Sequence, residues 1–126
     1  MSLQEVKKLG YKLTGLKIKT SEYENTRFAW NIRKALYINI NKKQLQNIHK
    51  KYWRTYTLYG INKNGIYLQG LLHEIGHFKQ YEKLGGKNYE INIAQNPEYC
   101  EELANRYSIK LYKRFVKSKK SWLSRA

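Results

Sequence analysis

The sequence predicts an α+β fold: one small domain in which a short, mostly antiparallel sheet packs on a backing helix, a metal-binding helix and a C-terminal helix that carries a glutamate. Three observations lead there. The 126 residues suffice for one domain with one core and not for two. Apolar–polar alternation is concentrated in the stretch before Asn41, and most of the chain beyond it shows helical periodicity. Within that second part, His73-Glu74-Ile75-Gly76-His77 forms an HExxH motif with apolar residues on both flanks.

Taken in order, Leu3, Val6 and Leu9 suggest a short basic amphipathic helix, broken by Gly10 and again by Gly15. Leu16 to Thr20 alternates apolar and basic residues and reads as a strand. Residues 21–26 form a polar turn, and Arg27 to Ile32 and Ala35 to Ile40 are two further strands. Asn41 then caps the backing helix, Lys42 to Tyr59, with Leu45, Ile48, Tyr52, Tyr56 and Tyr59 along one face. His49, among lysines on this helix, reads as a solvated surface residue.

After a loop over 60–65, the motif helix runs from Ile66 to Leu84, capped by Asn62 or Asn64 and stopped by Gly85-Gly86. On it Gln69, Lys79, Gln80 and Lys83 face water. Gly76 in mid-helix costs roughly 0.5–1 kcal/mol relative to alanine, a cost that close approach by another backbone would offset. Lys87 to Asn96 is a connector in which Tyr89 to Ile93 pairs briefly as a strand. Pro97 opens the last helix with Asn96 as cap, and Leu103, Tyr107, Leu111 and Phe115 or Tyr112 point inward up to Lys117. The domain therefore spans 1–117, followed by a basic tail over 118–126.

Two histidines at i and i+4 stack their imidazoles on one helix face, where they can grip a single divalent ion. Glu74, on a neighbouring side of the same turn, is placed to take a proton from water that a zinc ion has acidified. A catalytic zinc usually has three protein ligands, and this chain offers few candidates for the third. No histidine follows His77, aspartate is absent, and Glu82 and Glu90 lack a suitable position or frame. Glu101 is the favoured ligand, with Glu98 and Glu102 as alternatives. Asn105, one turn beyond Glu101, is placed to hydrogen-bond a ligating imidazole. Ala104 is small enough to let this helix press on Gly76. Cys100, the single cysteine, reads as a buried small residue and excludes an internal disulfide.

Charge supplies a second theme. Twenty-five lysines and arginines face nine acids, all glutamate, for a formal charge of +16. Such an excess favours nucleic acid or other polyanions as partners. The cluster from Lys42 to Arg54 and the run from Lys110 to Lys120 carry much of it, with Tyr52, Trp53 and Trp122 available to stack on bases. No stretch has the length and apolarity of a membrane span, and the N-terminal residues carry no signal-peptide pattern. A cytoplasmic protein is the expectation.

The HExxH helix followed by Glu101-Glu102-Leu103-Ala104-Asn105 resembles the gluzincin clan of zinc metallopeptidases. More narrowly it resembles the ImmA/IrrE-type peptidases and the catalytic core shared with HtpX-like proteases. The resemblance covers residues 66 to about 117 and implies a zincin-like domain. His73, His77 and Glu101 would hold Zn2+, and Glu74 would serve as general base in hydrolysing a peptide or protein, held extended along a sheet edge. Where many relatives have aspartate, this chain has Asn105, and the family's transition-state-stabilising residue has no single counterpart among Tyr99, Tyr107 and Tyr112. Proteases of the SprT type fit the basic charge but use a third histidine, absent here. In size the chain is similar to the minigluzincins, which are held latent by their C-terminal segments, so the tail with Trp122-Leu123 is a candidate regulator. The alternative function is a nucleic-acid-binding protein, or a nucleic-acid-associated peptidase, whose HExxH site is structural, latent or inactive.

Overall fold

A computed structural model describes residues 1–117 in full and the backbone of 118–125 as part of the last helix. The fold is a small, mostly helical α+β arrangement: among the described residues, six helices and one three-stranded mixed sheet. Helix α1 (Leu3–Thr14) is opened by a capping box, Ser2 Oγ accepting from the Glu5 N–H and the Glu5 carboxylate from the Ser2 N–H. It runs through Gly10 instead of breaking there. Gly10 is buried, and a Cβ at that position would sit 2.8–2.9 Å from Ile18 and Leu71, so the glycine permits α1 to pack closely. Gly15, at φ 71°, adopts the left-handed conformation that ends the helix.

Strands β1 (Lys17–Lys19), β2 (Arg27–Trp30) and β3 (Ala35–Asn39) lie in the order β1-β3-β2. β3 is inserted between the other two, antiparallel to β2 and parallel to β1, so the sheet is mixed and not mostly antiparallel. β2 and β3 form a hairpin whose turn is fixed by Asn31, its side chain accepting from the Arg33 and Lys34 N–H groups. Fully buried Asn39 ties the 21–25 loop to the sheet, exchanging hydrogen bonds with both backbone groups of Ser21 and donating to the Glu24 carbonyl. β2 lies at one edge of the sheet.

Asn41 caps α2 (Lys42–Lys51) as its side-chain oxygen predicts. The expected backing helix is divided at Tyr52, beyond which α3 spans Trp53–Leu58. No glycine or proline in the local sequence marks this break. Helix α4 (Ile66–Leu84) has the expected bounds; Gly65 occupies the cap position, and Asn62 closes the preceding turn by accepting the Gly65 N–H. After Gly85 the chain forms a helix, α5 (Gly86–Gln95), where a connector with a brief strand was expected. Tyr89 and Ile93, four apart, turn inward, while Ile91 stays exposed; the alternation of the three apolar residues is incidental to a helical face.

Pro97 opens α6, which spans Pro97–Arg125 and so extends past Lys117. The 118–126 tail and its Trp122-Leu123 pair lie outside the residues whose side chains are described. The most buried face of α6 is Cys100, Ala104, Ser108 and Tyr112, with the expected Leu103, Tyr107, Leu111 and Phe115 half-buried beside it. The small side chains of Cys100, Ala104 and Ser108 let α6 lie against α4. Tyr112 lies over Gly65, Ser108 Oγ accepts from the Gln69 amide at 3.2 Å, Ala104 meets Gly76, and the Cys100 carbonyl accepts from Gln80 at 3.0 Å. The order of these contacts shows that the two helices run antiparallel. Leu71, Leu72 and Ile75 of α4 fill the core between this pair and the sheet. No helix among the described residues is long and apolar enough to cross a membrane.

Candidate metal centre

The α4–α6 seam determines the site. A Cβ on Gly76 would lie 3.0 Å from the Ala104 Cα, so this glycine allows the two backbones to approach within one turn of His73, His77 and Glu101. Across that contact Glu101 reaches both imidazoles: Oε2 is 2.9 Å from His73 Nε2 and Oε1 is 2.9 Å from His77 Nε2. The carboxylate thus stands where the two nitrogens converge. Zinc bonded at about 2.0–2.2 Å to nitrogen and oxygen in tetrahedral geometry would set these separations near 3.3–3.5 Å. Each of the two separations is therefore about 0.5 Å shorter than zinc would set it.

His73, Glu74 and His77 also offer ligand atoms within 4.8 Å of one another. Glu74 is therefore within reach either of the ion itself or of water beside it. The two glutamates differ in setting. Glu101 has a side chain 58% exposed and bonds both histidines, whereas Glu74 is buried against the sheet and accepts the Phe28 backbone N–H. Glu101 is the better ligand on this contrast, and Glu74 the better base. Burial raises the Glu74 carboxyl to about 7, against the opposing pull of His73 and His77. Hydrogen bonds from His73 and His77 hold Glu101 well below the ordinary carboxylate range. Burial disfavours the charged form of His77, but its bond to Glu101 and the neighbouring carboxylates outweigh that and raise its pKa.

Gln80 is a site residue that sequence reasoning left facing water. It lies one turn after His77, with Oε1 3.3 Å from His77 Nδ1 and its amide nitrogen donating to the Cys100 carbonyl. A carbonyl can only accept, so the Cys100 contact fixes the amide orientation and presents Oε1 to the histidine. Nδ1–H then donates to Gln80; Nε2, which bonds Glu101 here, would offer its lone pair to a metal on giving up its proton. The signal was present in the i, i+3 spacing, but glutamine has no chemistry of its own to draw notice.

Asn105, expected in that role, is exposed and bonds neither imidazole; its carbonyl accepts from Ser108 Oγ. Glu102 pairs with Arg106 and Glu82 with Lys79, while Glu98 is exposed, so Glu101 alone of these acids reaches the histidines. His49 is half-buried, 3.4 Å from the Ile61 carbonyl and against Tyr56, and takes no part in the cluster. Cys100 is buried, with burial raising its thiol pKa. Of the tyrosines, Tyr89 of α5 senses both site carboxylates, Glu74 and Glu101; burial chiefly raises its pKa and keeps the hydroxyl protonated. Tyr112 lies far along the seam, over Gly65. A cavity of about 1080 Å³ between α1, the 60–65 loop and α6 shares no residue with the histidine site.

No protein-family model, curated protein or solved structure matches this chain.

Proposed function

We propose that the protein is a zinc-dependent peptidase of the gluzincin type, with His73, His77 and Glu101 as ligands and Glu74 as general base. One observation carries this reading: a single carboxylate from a second helix meets both HExxH imidazoles, while the motif glutamate is buried beside them with a pKa near neutrality. Zinc held there would supply Lewis acidity, polarising a carbonyl and lowering the pKa of water toward neutrality. The chain's own groups supply the rest. Glu74 accepts the proton of the attacking water and returns it to the leaving amine. Gln80 fixes the His77 tautomer, and Cys100 holds Gln80. β2 is an edge strand whose Phe28 N–H reaches Glu74, so an extended peptide added along that edge would pass the base.

Glu74→Gln tests the assignment. The amide is nearly isosteric but cannot take a proton, so the variant is expected to keep its fold and its zinc while losing peptide hydrolysis by at least about 100-fold. Wild-type turnover by Glu74→Gln would remove Glu74 from the mechanism.

A further inference from the structure

The end of α2 and all of α3 form a face that the metal site does not use. None of the six residues of α3 is buried; Tyr56 alone turns partly toward the core. Tyr52 is 51% exposed and Trp53 54%, and Tyr59 and Leu58 are exposed beside them. Leaving such rings in water forgoes the burial that aromatic residues usually contribute. Cations accompany them: the Lys51 ammonium lies 5.3 Å from the Tyr52 ring centre and the Arg54 guanidinium 5.4 Å from that of Trp53. Lys50, Lys51 and Arg54 enter no ion pair among the described residues. No acid occurs in the sequence between Glu24 and Glu74. Glu22, across a shallow cleft from Lys43 and Lys51, pairs with neither.

We infer that this face binds single-stranded nucleic acid. Unpaired cations beside exposed ring faces match a partner with alternating phosphates and planar bases. The bases must be unstacked from a duplex to meet the rings, which selects single strands. An anionic bilayer shares the charge but would need aliphatic area to insert, and Leu58 is the one large aliphatic side chain exposed here.

Fluorescence anisotropy with labelled dT and rU oligomers of about 20 nucleotides decides the matter. Binding at low salt should weaken as salt rises, with a log–log slope of about −0.7 for each phosphate contacted. Trp53→Ala should weaken binding roughly 5- to 100-fold, with Trp53→Phe recovering most of it. Neutralising Lys50, Lys51 and Arg54 together with glutamine should flatten the slope by about 2, while Lys7, Lys8 and Lys12 of α1 neutralised in the same way should change it less. These side chains are exposed or half-buried on the surface, so thermal melting should show each variant folded. No binding to either oligomer, equal effects of the two charge variants, preference for duplex, or tighter binding to phosphatidylserine vesicles than to oligomers would each overturn the inference.

Discussion

Replacing Gly76 with alanine perturbs the seam that brings the ligands together. The new methyl would stand 3.0 Å from the Ala104 Cα and 3.3 Å from its Cβ and carbonyl oxygen. Carbon atoms pack best at about 3.5–4.0 Å, so α6 must retreat by roughly 0.5 Å, and the obstacle is backbone that cannot rotate away. Overpacking of this kind costs about 1–3 kcal/mol, and the gain in helix propensity returns only about 0.5–1. The difference, a net loss of up to about 2.5 kcal/mol, should lower the melting temperature of a domain this size by up to roughly 10 °C. The same retreat moves Glu101 relative to His73 and His77 by more than the roughly 0.2 Å that metal sites tolerate, so zinc affinity should change measurably.

Gly70 provides the control. A methyl there would meet Leu45 Cδ1 at 2.8 Å, but that is the end of a flexible side chain. Gly70→Ala should therefore leave zinc affinity unchanged and alter stability little. Thermal melts by circular dichroism and zinc titration against a chromophoric chelator measure both effects. A Gly76→Ala protein that is more stable than wild type and binds zinc equally well would refute the claim that close helix approach builds the site.

Gln80→Leu should reduce zinc affinity about 10- to 100-fold without unfolding the protein, because His77 loses the acceptor that fixes its tautomer; competition titration measures this. Metal-free protein should lose stability as pH rises from 5 to 8. Glu74 is about 4.5 unfolded and about 7 folded, so its contribution is complete below pH 4.5 and is lost through pH 7, a change of up to about 3 kcal/mol. His77, also raised, acts in the same direction above its unfolded value of 6.5. Glu101, lowered, contributes above 4.5 and withdraws support only in acid. Calorimetry should show the melting temperature of metal-free protein falling across this window and zinc restoring most at pH 8; a rise without metal would contradict the charge assignments.

Periodicity and capping made much of this fold legible in advance. The α4 bounds followed from apolar spacing and the Gly85 stop, the α2 cap from Asn41, and the Gly76–Ala104 approach from a glycine where helices disfavour one. Errors arose where one pattern admits two structures. Tyr89, Ile91 and Ile93 alternate like a strand, yet two of them also lie four apart, and only packing on α4 and α6 decides between these readings. Gly10 read as a breaker because the sequence does not reveal that Ile18 and Leu71 need its space. The parallel β1–β3 pairing depends on which strand is inserted between which, and short strands carry no signal for that. At the site, elimination among few acids pointed to Glu101, and Glu101 is the acid that meets both histidines. Gln80, on α4, was missed because a glutamine beside the histidines drew no notice, and Asn105 was misplaced because its contacts depend on the rotation of α6 about its axis. Its buried stripe of Cys100, Ala104 and Ser108 sets that rotation, leaving Asn105 outside.

Zinc content after exhaustive dialysis from zinc-containing buffer tests the central claim most directly. Elemental analysis should find about one zinc per chain in the wild type and in Glu74→Gln, and little in His73→Ala, His77→Ala or Glu101→Ala. A wild-type protein without zinc, or a Glu101→Ala protein that retains its full complement, would contradict the proposed centre.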